Sequence, residues 1–189
     1  MAAPTSSHVE VVSSGHGEPS PTIDIRGRTK RMKLVWKILR WAMVAVACLF
    51  VIAQFIRPAK TNPSADPSLA IESHVQVDPK VSSILDRSCV DCHSNKTRWP
   101  WYTNVAPVSW FVIDHVNDGR KELNLSEFGK YDRRRQLNKL KQICREVTNG
   151  AMPLSSYTPM HAGSKLTHDD VNTLCSWSDA QRAQLEAKK

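Results

Sequence analysis

Between Trp41 and Ile56 the chain runs sixteen residues without a charge. At 1.5 Å per residue, a helix of that length reaches roughly 24 Å, against a bilayer hydrocarbon core of about 30 Å. Starting instead at Leu34 makes the stretch long enough, with Lys37 and Arg40 reaching out to the headgroups. Trp36 and Trp41 stand where an interfacial aromatic belt belongs. The alternative is a buried core helix, but the flanking stretches are too polar to supply a core around it. The expectation is a single transmembrane helix over 34–56.

Charge sets its orientation. Seven basic residues (Arg26, Arg28, Lys30, Arg31, Lys33, Lys37, Arg40) lie in the twenty residues before Trp41, against Arg57 and Lys60 in the twenty after Ile56. The positive-inside tendency then places the N-terminus in the cytoplasm and the remainder outside it, across the inner (cytoplasmic) membrane in a periplasmic or extracellular space. A cleaved signal peptide is the rival. Its charged region would be unusually long, and no small-x-small site follows the apolar run. An uncleaved anchor in contact with the lipid bilayer is the better reading.

The whole chain has 189 residues, 41% of them apolar and 23% charged. Those proportions exclude a wholly disordered chain, a collagen, a coiled-coil rod and a polytopic membrane protein. The net charge of +8 would by itself suggest nucleic acid or an acidic membrane surface. Half of that excess falls in the first forty residues, where membrane orientation explains it. No basic-aromatic ladder calls for nucleic acid. Residues 1–33 are rich in Ser, Gly and Pro with no sustained apolar period, and read as a disordered cytoplasmic tail. Residues 57–79 carry Pro58, Pro63, Pro67 and Pro79 among Ser, Thr and Asn, and read as a linker. Residues 80–189 suffice for one small core.

That domain reads as all-α with long loops at 94–106 and 149–166. Val81, Ile84 and Leu85 share a helix face leading to Cys89. Pro107 fits a first turn, with Val108, Phe111, Val112 and His115 on one face and Gly119 as a stop. Asp132 can cap a third helix that places Leu137, Leu140, Ile143, Cys144 and Val147 together, with Gly150 past its end. Thr167 and Asp170 have capping-box spacing before Val171, Leu174 and Cys175. No alternating strand pattern of useful length is present.

Cys89-Val90-Asp91-Cys92-His93 carries the chemistry. Two thiols three positions apart can each add to one vinyl group of a haem, and the next residue then offers a ring nitrogen to the iron. The expected cofactor is one covalent haem c, with Cys89 and Cys92 as attachment points and His93 as proximal ligand. A redox dithiol would want a βαβ context that is absent. A zinc site would need Cys144 and Cys175 to complete four thiolates with Cys89 and Cys92, or His93 as a substitute. Candidates for a sixth iron ligand are Met152, Met160, His115, His161 and His168. Met152 is preferred because Pro153 restricts the backbone beside it; Met160 is the second choice. A gap-filling core role is the alternative for either methionine.

The stretch Cys89-Val-Asp-Cys-His-Ser-Asn-Lys-Thr-Arg-Trp-Pro-Trp-Tyr102 resembles the bacterial haem-binding domain family of c-type-cytochrome-like proteins. So do Val105-Ala-Pro-Val-Ser-Trp110, His115-Val-Asn-Asp-Gly-Arg120, and Met152-Pro-Leu-Ser-Ser-Tyr157 with Lys165-Leu-Thr167. The resemblance covers about residues 75–180. It implies one covalent haem on a domain outside the cytoplasm, hence dependence on cytochrome c maturation machinery. The end of the chain, from Met152-Pro153 through Leu166-Thr-x-x-Asp170-x-x-x-Leu174 to Trp177, also looks like the end of small class I cytochromes. There the Met binds iron and the last helix packs on the first.

Trp99, Trp101, Tyr102 and Trp110 are expected to line the haem crevice or the core, and Arg98 and Arg120 either to pair with propionates or to stand as solvated charges. Lys121 reads as a solvated charge. Arg133, Arg134 and Arg135 are a solvated face or a docking surface for an acidic redox partner. Outside the cytoplasm Cys144 and Cys175 would form a disulfide across the last two helices, with two buried free thiols as the alternative. The expected job is one-electron transfer to and from extracytoplasmic redox proteins, an electron carrier rather than a catalyst. A haem sensor or peroxidase-like enzyme with an open sixth site is the main rival, and a zinc module the lesser one.

Overall fold

The structure is a computed structural model that describes residues 25–188, with side chains from Thr29 onward. The expected disordered tail falls largely on residues 1–24, outside the described residues. The chain divides after Ala47 into two units. Helix α1, Ile25–Ala53, crosses that division and starts before Leu34, where the apolar stretch was expected to begin. Its basic first turns are helical because Arg, Lys, Met and Leu are all good helix formers. Within it, Thr29–Ala53 is long and apolar enough to span a membrane, and none of that window is buried against protein.

The unit from Cys48 onward is all-helical, with no strand among its described residues. Helix α2 runs Pro79–Ser88, with Asp78 accepting from the Val81 amide at 2.9 Å. Proline at its first position has no amide to satisfy. A short turn α3, Val90–His93, carries most of the cysteine-histidine motif. Helix α4 is Val108–Glu122, α5 Arg133–Thr148 and α6 His168–Ala187. Asp132 caps α5 as expected, and Gly150 follows it with φ 69°, a left-handed conformation that suits glycine. Thr167 and Asp170 form the full capping box of α6.

Val81, Ile84, Leu85, Leu140, Ile143, Val147, Leu174 and Trp177 interlock as the core between α2, α5 and α6. Arg87 reaches Asp170 at 2.7 Å, so the last helix is tied to the first helix of this unit. Phe128 and Leu125, in the turn between α4 and α5, close the core from below. Two expectations are corrected. Residues 57–79 are more than a linker: Ile71 and Val75 are buried in the core, and Trp177 Nε1 donates to the Gln76 carbonyl at 2.7 Å. Two short 3₁₀ turns, Pro67–Leu69 and Ile71–Ser73, break the extended path and lead to those two apolar side chains. Gly119 does not stop α4, which continues to Glu122.

Cys144 and Cys175 are joined as a disulfide between α5 and α6, with a sequence separation of 31. Closing a loop of that size removes denatured-state entropy worth about 3 to 4 kcal/mol. Replacing both cysteines by serine should lower the unfolding free energy by about that much in denaturant titration. A change within experimental scatter would show that the helix pair needs no covalent tie.

Candidate functional site

The motif is positioned by the end of α2 and by the close approach of α4. The Cys89 amide still donates to Leu85, and the Cys92 and His93 amides both donate to the Cys89 carbonyl, at 3.2 and 2.9 Å. This tight turn puts Cys89, Cys92 and His93 on one wall. Helix α4 reaches that wall through Gly119: a β-carbon there would lie 2.7 Å from the Cys92 carbonyl oxygen. Only glycine allows the two backbones to come so close.

His93 Nδ1 lies 2.8 Å from the Gly119 carbonyl and 3.0 Å from the Leu123 carbonyl. Both neighbours accept, so Nδ1 carries the proton. In the neutral ring Nε2 then keeps its lone pair. Burial holds the His93 pKa below its ordinary value, which favours that neutral form. An imidazole oriented by backbone carbonyls on one nitrogen is the arrangement that metal-binding histidines use.

Both motif cysteines are free and part-buried. Burial pushes the Cys89 thiol up to about 12 and the Cys92 thiol up to about 11. Redox dithiols draw their reactivity from a lowered thiol pKa, the opposite effect. The zinc alternative loses Cys144 and Cys175 to the disulfide. Among the described residues no group of three or more His, Cys, Asp or Glu side chains is arranged to hold a metal ion.

Three adjoining cavities surround the motif. One of about 170 Å³ is lined by Cys89, Cys92, His93, Met152, Pro153 and His115, among others. It shares Cys92, His115, Leu154 and Tyr157 with an apolar cavity of about 310 Å³ that Trp99, Tyr102, Val112 and His161 also line. It shares Cys89, His93 and Met152 with a third of about 270 Å³ bounded by Leu85, Ile143 and Val147. The preferred methionine thus faces the same cavities as Cys89 and His93. Met160 is 57% exposed and borders only cavities without His93. His115 lines two cavities with Cys92, His161 is bonded to the Tyr102 hydroxyl at 3.2 Å, and His168 is exposed at the start of α6.

Val108, Phe111, Val112 and His115, expected on one face of α4, together line the larger apolar cavity. Val108 and Phe111 are exposed there, while Ser109, Ile113 and Val116 supply the buried contacts. The arginines bond within the chain. Arg98 donates to Asp91 at 2.9 Å and to Asp86 at 3.1 Å. Arg120 donates to the carbonyls of Ser94 and Thr61, each at 2.7 Å, and to Thr97 and Asn62 side chains. Lys121 pairs with Asp118 at 2.8 Å. Arg98 and Arg120 therefore brace the loop after the motif.

Asp91, between the two cysteines, escaped sequence reasoning. It is buried and accepts from Arg98 and, at 2.8 Å, from the Tyr157 hydroxyl. Tyr157 stacks on His161 with ring centroids 3.7 Å apart. Burial, then the bond to Asp91, drives the Tyr157 hydroxyl far above its ordinary pKa, so it stays a donor. The pair clasps the loop that carries Met152 onto the motif. Its only sequence signal is a charged residue between two cysteines, which no periodicity rule reads as buried.

A helical domain that turns two thiols and an oriented imidazole toward an apolar cavity belongs to the class of haem-binding domains. The family model described as "Haem-binding domain" matches residues 48–180. The chain belongs to that family. No curated protein and no solved structure matches it. The residues fit the group: the cavity walls are apolar, His93 Nε2 has a free lone pair, and the two thiols stand on the same wall.

Proposed function

We propose that the protein is a membrane-anchored c-type cytochrome with one covalent haem at Cys89 and Cys92, carrying single electrons outside the cytoplasm. The observation that carries this reading is the shared cavity of Cys89, Cys92, His93 and Met152, with His93 Nδ1 held by two carbonyls. Cys89 and Cys92 would hold the haem through thioethers, each thiol adding its sulfur and its hydrogen across one vinyl group, so that no atom leaves and no oxidant is needed. Bound haem supplies a one-electron iron couple. His93, through Nε2, and Met152, through its sulfur, would be the protein groups that hold the iron, and a thioether ligand would favour a higher potential than a second histidine. Trp99, Tyr102 and Val112 keep water from the crevice. Helix α1 holds the domain at the inner membrane, where extracytoplasmic redox proteins are its partners.

Protein made in a host with cytochrome c maturation should keep its haem through acid-acetone extraction and give a c-type alkaline pyridine haemochrome. Loss of all haem would end the covalent reading. Carbon monoxide should bind the ferrous protein slowly and bind Met152→Ala quickly. Fast binding to the unaltered protein would instead indicate an open sixth site, as a sensor or peroxidase-like enzyme requires.

A further inference from the structure

We propose that the face carrying Trp101, Val108, Phe111 and Met160 rests on the lipid surface from which the anchor emerges. The inference builds on the anchor reading and adds a second, peripheral contact with the same membrane. Gln54, the residue after α1, exchanges two hydrogen bonds with Ala106: its side-chain amide donates to the carbonyl at 3.1 Å and its oxygen accepts from the amide at 3.0 Å. Trp110 Nε1 donates to the Ile56 carbonyl at 2.6 Å, and Lys60 bonds Asn104. The exit of the apolar run is therefore fastened to residues 104–110, at the N-terminal end of α4.

That end is where the exposed apolar surface lies. Trp101 is 75% exposed, Met160 57%, Phe111 51% and Val108 44%. Among the described residues beyond Ile56, no other large apolar side chain is exposed. The four are contiguous around Tyr102: Val108, Phe111 and Met160 border one cavity with it, and Trp101 and Met160 the adjoining depression. Clusters of this kind mark a contact site. Val108 and Phe111 are three apart on one helix face. Val108, Phe111 and Met160 also border the cavity that holds Cys92, so a haem there would meet their inner sides, whereas Trp101 does not line that cavity and would stay uncovered.

The chemistry of the surroundings selects lipid as the occupant. Tryptophan favours the boundary between headgroups and acyl chains. Arg57 and Lys60, both exposed, stand at the exit of the run where headgroup phosphates would meet them. Asp114 and Asp118 come one and two helical turns beyond Phe111, away from the fastened end.

The test uses the full-length, haem-loaded protein in vesicles of phosphatidylcholine and phosphatidylglycerol. A nitroxide label is placed, in a Cys48→Ala background, by Trp101→Cys, Phe111→Cys, Leu49→Cys or Lys141→Cys, one at a time. Collision with oxygen reports lipid, and collision with a water-soluble nickel chelate reports solvent. Labels at 101 and 111 should resemble that at 49, severalfold more accessible to oxygen than to nickel, while the label at 141 should show the reverse. If 49 reports lipid but 101 and 111 follow 141, the peripheral contact is refuted and the anchor stands. If the label at 101, which lies outside the cavity with Cys92, is shielded from both reagents, protein covers the face, either a second copy or a partner, and lipid is refuted. If 49 itself reports solvent, the anchor reading falls and this inference with it.

Discussion

Replacing Cys89 and Cys92 together by serine is expected to abolish covalent haem retention, to the background of an extracted blank. The reason is chemical rather than structural. Serine keeps nearly the same shape, so the turn Cys89–His93 should form with its amide bonds intact. A hydroxyl does not add across a vinyl group under conditions where a thiol does. His93 would still be oriented by Gly119 and Leu123, so non-covalent haem should still bind and then leave in acid-acetone. Single replacements should each retain haem through one thioether, with a pyridine haemochrome shifted toward that of non-covalent haem. Covalent haem in the double variant would place the attachment elsewhere. An absorbance measurement after extraction decides it.

Gly119→Ala should disturb the site strongly although it alters no residue with reactive chemistry. The added carbon would meet the Cys92 carbonyl oxygen at 2.7 Å and the carbonyl carbon at 3.2 Å. Both are backbone atoms, so relief requires α4 to move away from the motif. Overpacking of this kind costs about 1 to 3 kcal/mol. The movement also carries off the Gly119 carbonyl that holds His93 Nδ1, so the iron spectrum of the loaded protein should change along with its stability. Gly150→Ala is the control. Gly150 has φ 69° but open space around its β position, so it should cost only the left-handed penalty of about 1 to 2 kcal/mol and leave the spectrum unchanged. The close-approach argument fails if Gly119→Ala leaves both spectrum and stability as Gly150→Ala does.

The contacts that escaped sequence reasoning share one physical property: they join residues far apart along the chain. Asp91 meets Tyr157 across 66 positions, and Arg120 braces Thr61 and Asn62 from 59 and 58 positions away. Ile71 and Val75 looked like linker because prolines surround them and no helical period contains them. They are buried because Trp177 and Gln181 of α6 grip Gln76 between them and α2. The shared α4 face of Val108, Phe111, Val112 and His115 is legible, but what it faces is not. A period tells which side chains lie together, not whether protein or a cavity lies opposite them.

What sequence determines here is local. Caps at Asp132 and Thr167 are legible because a short polar side chain satisfies amides two or three residues ahead. The uncharged run from Trp41 is legible because length and charge alone decide what can cross a bilayer. The motif is legible because two thioethers and an iron ligand require those spacings. Tertiary structure decided the rest: which carbonyls orient His93, which methionine shares its cavity, and which arginines are already taken. Those outcomes depend on how α2, α4, α5 and α6 pack, and packing is a property of surfaces meeting, which no single segment carries.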